Sequence, residues 1–218
     1  MAVLLYCVAH LSVRPKRLQT GVAGNSVERV EGPGLAAFVS RSADSNVWLR
    51  APVRTSALEF HRVLMELFES AAIIPFRFPT IFADDDELSA HLSERADEYV
   101  SLLNRIADLV QMEVRVTGPE FSDHTSSGAD YLRQRQKHLG GLKEFGARLR
   151  VAVASVVREW GDGTLKNGQR HFSLVERSKV AEFERVLRGL AVPERTTVRV
   201  SGPWPVSEFL GTVKNVGM

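Results

Sequence analysis

Ile73-Ile74-Pro75-Phe76-Arg77-Phe78-Pro79-Thr80-Ile81-Phe82 is the stretch from which the fold of this chain is read. Large apolar and β-branched residues at this density favour an extended strand buried on at least one face. Pro75 and Pro79 carry no amide donor, so neither fits the middle of a central ladder, and the strand is expected to be short or to lie at a sheet edge. Arg77 stands between Phe76 and Phe78, and a two-residue period turns it to the face opposite both rings. Its guanidinium then reaches solvent or a local carboxylate, or else enters a buried ion pair or a partner contact.

The segments flanking this stretch have helical spacing. Ser56 and Glu59 match the S-x-x-E pattern of a capping box, and Phe60, Val63, Leu64, Leu67, Phe68 and Ala71 follow at the three-and-four spacing of one apolar face. His61 lies beside that face and reads as a half-buried structural histidine. On the far side, Leu88, Leu92, Ala96, Tyr99, Leu103, Ile106 and Val110 predict a second helix. Asp84-Asp85-Asp86-Glu87 precedes it, where the helix dipole favours negative charge. Consecutive acids on a helix point to different sides, so capping is expected there rather than divalent-ion binding.

Nearer the start of the chain, residues 3–8 read as a buried strand, and residues 27–31 and 35–40 flank Gly32-Pro33-Gly34 as a hairpin. The same glycines match G-x-G-x-x-A, but a strand rather than a helix follows, and a dinucleotide pyrophosphate needs the helix N-terminus. Beyond residue 110 a strand over 112–117 stops at Gly118-Pro119, and its Val114-Arg115-Val116 recurs as Val198-Arg199-Val200 before Gly202-Pro203. That repetition suggests two halves with a boundary near residues 110–125. Asp123-His124-Thr125-Ser126-Ser127 holds the residue types of a triad, but they lie too close in sequence to converge and lack a nucleophile elbow. Ser127 with Asp130 reads instead as an N-cap.

The helix that follows sets Tyr131, His138, Leu142, Phe145 and Leu149 on one side and Arg133, Arg135, Lys137, Lys143 and Arg148 largely elsewhere. Gly140-Gly141 is expected to bend it or to permit close packing. Residues 153–160 and 171–176 read as strands joined by a polar connection over 161–168, and Ser178 is expected to cap a short helix carrying Val180, Phe183, Leu187 and Leu190. Strand, helix, strand, strand, helix, strand is the order of the split βαβ motif. The fold class is therefore α+β in two small domains. Residues 1–110 form a small mixed or antiparallel sheet with helices, and residues 111–218 form a ferredoxin-like βαββαβ domain.

With 218 residues, 44% of them apolar and 25% charged, the chain can bury a core without staples. Its one cysteine, Cys7, cannot form an internal disulfide, and no Cys/His spacing resembles a zinc site, which points to a reducing, cytoplasmic compartment. No run of eighteen apolar residues occurs, and residues 1–9 lack the basic flank of a signal peptide, so neither membrane insertion nor export is expected. A net charge of +2 does not by itself call for nucleic acid. No catalytic, cofactor or metal residue emerges from the motifs. An enzyme with an unrecognised site would need His61, Arg77 and Asp84 to Asp86 to converge, and a nucleic-acid binder would need the basic helix over 133–150 to line one surface beside exposed aromatics.

Several blocks, in order, resemble the GvpL/GvpF family of gas vesicle proteins. They are Leu5-Tyr6-Cys7-Val8, Leu35-Ala36-Ala37-Phe38-Val39-Ser40, His61-Arg62-Val63-Leu64, Pro75 to Phe82, Ser127-Gly128-Ala129-Asp130-Tyr131-Leu132 and Ser201-Gly202-Pro203-Trp204-Pro205. The family usually reads Arg-Phe-Gly-Thr where this chain has Arg77-Phe78-Pro79-Thr80, and Pro-Pro-Tyr-Ser-Phe where it has Pro205-Val206-Ser207-Glu208-Phe209. The resemblance implies a non-enzymatic accessory protein without cofactor that acts in gas vesicle assembly. It would bind the hydrophobic major shell protein and other gas vesicle accessory proteins, and it would stay in the cytoplasm or as a minor part of the vesicle. Pro75, Phe76, Arg77, Phe78, Thr80 and Phe82, with Trp204 and Pro205, are the candidates for the partner-binding surface.

Overall fold

The chain runs β1 (Ala2–His10), β2 (Glu28–Gly32), β3 (Leu35–Ser42), α1 (Val53–Ser70), β4 (Ile73–Pro75), β5 (Ile81–Phe82), α2 (Asp85–Glu94) and α3 (Ala96–Ile106) through its first half. β6 (Leu109–Thr117), α4 (Gly128–Ala152), β7 (Val157–Leu165), β8 (Gly168–Glu176), α5 (Val180–Arg188) and β9 (Thr197–Trp204) follow. This computed structural model describes residues 1–15, 20–118, 128–165 and 167–211, and within 128–138 it describes side chains only at Arg133 and Gln136. The loop 123–127 with its expected Ser127 cap, and the side chains of Tyr131, Arg135, Lys137 and His138, lie outside the described residues. Two compact units result: Met1–Leu109 with the segment that begins at Trp204, and Val110–Pro203. Among the described residues no helix is long and apolar enough to cross a membrane.

The first sheet is organised on β1, not on the stretch 73–82. Its order is β2-β3-β1-β4, with β5 also paired to β1. Every residue from Ala2 to Ala9 is buried, the mark of a central strand covered on both faces. The expected single strand over 73–82 is two short ones, β4 and β5, pairing antiparallel with different parts of β1: Ile74 with Val8, and Phe82 with Val3. The edge position is as the prolines required. A β-bulge in β1 reverses the alternation midway. Leu5 pairs with Val39 and Cys7 with Phe38, leaving Tyr6 as the extra residue. Tyr6 stacks on Phe60 of α1 at 4.8 Å, whereas Phe82, paired with Val3, meets His91 of α2 at 5.2 Å. Helix α1 therefore covers one face of the sheet and α2 with α3 the other.

The expected hairpin is present as β2 and β3, joined through Pro33-Gly34 with Gly34 at a φ of 72°. Two local readings are corrected. Helix α1 starts at Val53 with Pro52 at its N-cap, so Ser56 and Glu59 form no capping box. Ser56 is buried with its hydroxyl unpartnered, and Glu59 accepts instead from the amide of Ala23 at 3.0 Å. The helix expected over 88–110 is α2 and α3, broken at Arg95, and Val110 belongs to β6. Asp84 does cap: its carboxylate accepts from the Glu87 amide at 2.9 Å, and Glu87 accepts from Ala83 N–H at 2.5 Å.

The second sheet has the order β7-β8-β6-β9, the arrangement that the split βαβ sequence of elements produces. The two Val-Arg-Val strands, β6 and β9, are neighbours in it. α4 and α5 pack on each other and on β8. Strand β7 begins at Val157 and runs to Leu165, so residues 161–165 belong to a strand and not to a long connection. β9 does not stop at Gly202-Pro203 but continues to Trp204. Ser178 lies in a 3-10 turn, Arg177–Lys179, and the N-cap of α5 is Lys179 without a side-chain cap. A Cβ on Gly140 or Gly141 would meet nothing within 4 Å; the close approach of α4 is at Gly146.

Candidate functional site

Two backbone bonds to β1 bracket an excursion in the stretch 73–82. Phe76 N–H donates to Tyr6 O at 2.9 Å, and Leu5 N–H donates to Thr80 O at 2.9 Å. Between them the chain leaves the ladder over residues 77–79, where Pro79 has no donor to lose. Thr80 closes the excursion, its hydroxyl donating to Arg77 O at 2.7 Å. The Phe78–Pro79 peptide bond is cis.

Three rings anchor the segment to opposite faces of the sheet. Phe76 lies 6.0 Å from Tyr99 and 6.2 Å from His91, and Phe82 packs on the same histidine. Phe78 lies 5.4 Å from Phe60, which itself stacks on Tyr6. The candidates thus separate. Phe76, Thr80 and Phe82 are buried, Pro75 and Phe78 are half-buried, and Arg77 and Pro79 are exposed. What the segment presents outward is a cation beside proline and the flank of a phenyl ring. Trp204 is half-buried with its ring 5.7 Å from that of His61, while Pro205 is buried and the Arg105 guanidinium holds Phe209 O at 2.6 Å. Consecutive residues of α1, Phe60 and His61, therefore carry the Phe78 and Trp204 segments.

His91 and Tyr99 support the site from behind, and the sequence gives them only as helical residues. Their separation of eight residues across the break at Arg95 brings His91 Nε2 to 2.8 Å from the Tyr99 hydroxyl. Burial pushes Tyr99 up to about 12, so the phenol keeps its proton. Burial, then the Arg95 charge, lowers the His91 pKa and favours the neutral ring. Two of the acids that a site with His61 and Arg77 would need are committed elsewhere: Asp84 caps α2, and Asp85 holds Arg41 at 2.6 Å. Among the described residues no group of three or more His, Cys, Asp or Glu side chains is placed to hold a metal ion.

The sequence profile described as "Gas vesicle synthesis protein GvpL/GvpF" matches residues 2–159. The chain belongs to this family. It is 31% identical over 176 residues to Gas vesicle protein F of Streptomyces sp. (strain CB03234), covering 76% of this chain and 72% of that one. The crystal structure of the gas vesicle protein GvpF from Anabaena sp. PCC7120 superposes with a TM-score of 0.78 at 12% identity, covering 94% of this chain and 93% of that one. The GvpF structure from Microcystis aeruginosa gives 0.73 at 11% identity, covering 96% and 98%. At those identities the two crystal structures speak for the fold, and the α+β architecture is that of GvpF. Membership in GvpL/GvpF makes this a gas vesicle-associated protein.

Proposed function

We propose that this member of the GvpL/GvpF family is a non-enzymatic assembly factor that binds the hydrophobic major shell protein of the gas vesicle, together with other gas vesicle accessory proteins, in the cytoplasm. The observation that carries the reading is the interrupted edge of the first sheet. Residues 77–79 leave the ladder there and expose Arg77 and Pro79 beside half-buried Phe78. A shell subunit with an apolar face aggregates unless something shields it, and a sheet edge with a ring flank and a fixed cation is suited to hold such a client. Trp204, whose ring meets His61 on the next position of α1, offers a second apolar contact in this reading.

The test is retention of the other gas vesicle proteins by the immobilised chain. Arg77→Ala and Trp204→Ala, each with an unchanged circular dichroism spectrum and melting temperature, are expected to reduce retention of the shell protein at least about tenfold. Failure of the unmodified chain to retain any gas vesicle protein overturns the reading.

A further inference from the structure

The face of β8 turned to α4 is polar where a helix-on-sheet interface is ordinarily apolar. Gln169, His171 and Ser173 alternate along it, and Gln169 Oε1, His171 Nε2 and Ser173 Oγ are all buried without a hydrogen-bond partner. His171 is 5% exposed and Ser173 is fully buried. Buried polar atoms are nearly always paired, so three in one row call for an explanation. Helix α4 comes down on two of them at one point: a Cβ on Gly146 would lie 2.5 Å from Gln169 Oε1 and 3.1 Å from His171 Nε2. The other ring nitrogen of His171 is taken. Asp162, its cross-strand partner on β7, lies 2.7 Å from Nδ1, and the same carboxylate oxygen accepts from Trp160 Nε1 at 2.7 Å.

A cleft of about 430 Å³ opens beside this row, with α4 on one side and β7 on the other. Lys143 and Arg150 stand exposed on its α4 lip, and the half-buried Trp160 ring forms part of the β7 wall. The one carboxylate of the lining, Asp162, is outnumbered by Lys143 and Arg150 and is already engaged by Trp160 and His171, so the rim is net cationic. Strand β7 ends the second sheet and has no neighbour on its outer side among the described residues. Gly161 and Gly163 leave that edge without side chains at two positions, where another backbone can approach.

We propose that this cleft receives an extended, acidic peptide segment of a partner protein, which adds to the sheet along β7. Its carboxylates meet Lys143 and Arg150, its flank lies on Trp160, and its backbone pairs with the open edge of β7. A bare anion would answer the cations and leave the β7 edge unpaired. The site is on different elements from the 73–82 edge, so the two stand or fall separately.

The test is selection of random seven-residue peptides on the full-length chain. Recovered sequences are expected to be rich in Asp and Glu and free of central proline, which cannot pair with a strand edge. The double variant Lys143→Glu/Arg150→Glu, with an unchanged melting temperature, is expected to lose that enrichment, and Arg77→Ala to keep it. For the recovered peptides, binding is expected to change Trp emission in the unmodified chain and not in Trp160→Phe. Absence of acidic enrichment, enrichment that survives the charge reversal, or equal competition by glutarate alone overturns the proposal.

Discussion

Tyr6 shows how much one bulged residue does. As the extra residue of β1 it points toward α1, where its hydroxyl accepts from Val22 N–H at 2.9 Å and lies 3.0 Å from Ser40 Oγ, which in turn donates to Ser26 O at 2.8 Å. Gly21 must remain a glycine for this network, because a Cβ there would lie 2.2 Å from the Tyr6 hydroxyl. His91 is pH-sensitive near neutrality. Burial and Arg95 hold its folded pKa below the ordinary 6.5, so below that pH the unfolded chain binds more protons and stability falls with pH. Melting temperature is therefore expected to drop from about pH 7.5 to about pH 5.5 in the unmodified chain, and to drop less in His91→Gln, which has no such proton to take up. Parallel slopes for the two proteins would rule this out.

Helix starts decide the second set of expectations. Asp84 supplies a side-chain cap to α2, and Asp84→Ala is expected to cost about 1 kcal/mol in urea denaturation. Ser56→Ala removes a buried hydroxyl that has no partner, and is expected to cost far less. A larger loss at Ser56 than at Asp84 would restore the capping box that S-x-x-E spelling suggested. These two residues also mark what the sequence makes legible. The 84–87 acids and the Gly32-Pro33-Gly34 turn act within a few residues of themselves, and their reading holds. Ser56 failed because Pro52 starts α1 earlier than the spelling indicates. The break at Arg95 was hidden because the apolar spacing of α2 continues unchanged into α3. Gly161 to Gly163 read as a loop because nothing local says that β7 is an edge strand, where glycine and aspartate are tolerated. At the candidate site, the edge position of 73–82 followed from its prolines. Burial of Phe76, Thr80 and Phe82 depends on α1, α2 and α3, and such long-range packing leaves no short-range spelling.

Across the whole molecule the carboxylates set the acid limit. Asp85 is held below its usual range chiefly by its hydrogen bond to Arg41. For Glu113 and Asp162 burial acts the other way but is outweighed, by Arg170 and Arg115 in one case and by His171 and Trp160 in the other. Groups with depressed folded pKa values stabilise fully above their unfolded values, near 4, and lose that contribution as pH falls through the folded ones. Urea midpoints are expected to fall steeply below about pH 4, a separate limb from the His91 decline, and one that His91→Gln leaves in place. A single decline abolished by that substitution would contradict it.

The central place of β1 has a consequence for biosynthesis. On the ribosome it leaves the exit tunnel while Leu35–Ser42 is still inside and before Ile73–Pro75 has been made, and these are the segments that flank it in the sheet. Until they arrive it is a sticky apolar ribbon with both hydrogen-bonding edges bare. Until then the nascent chain is itself in need of shielding.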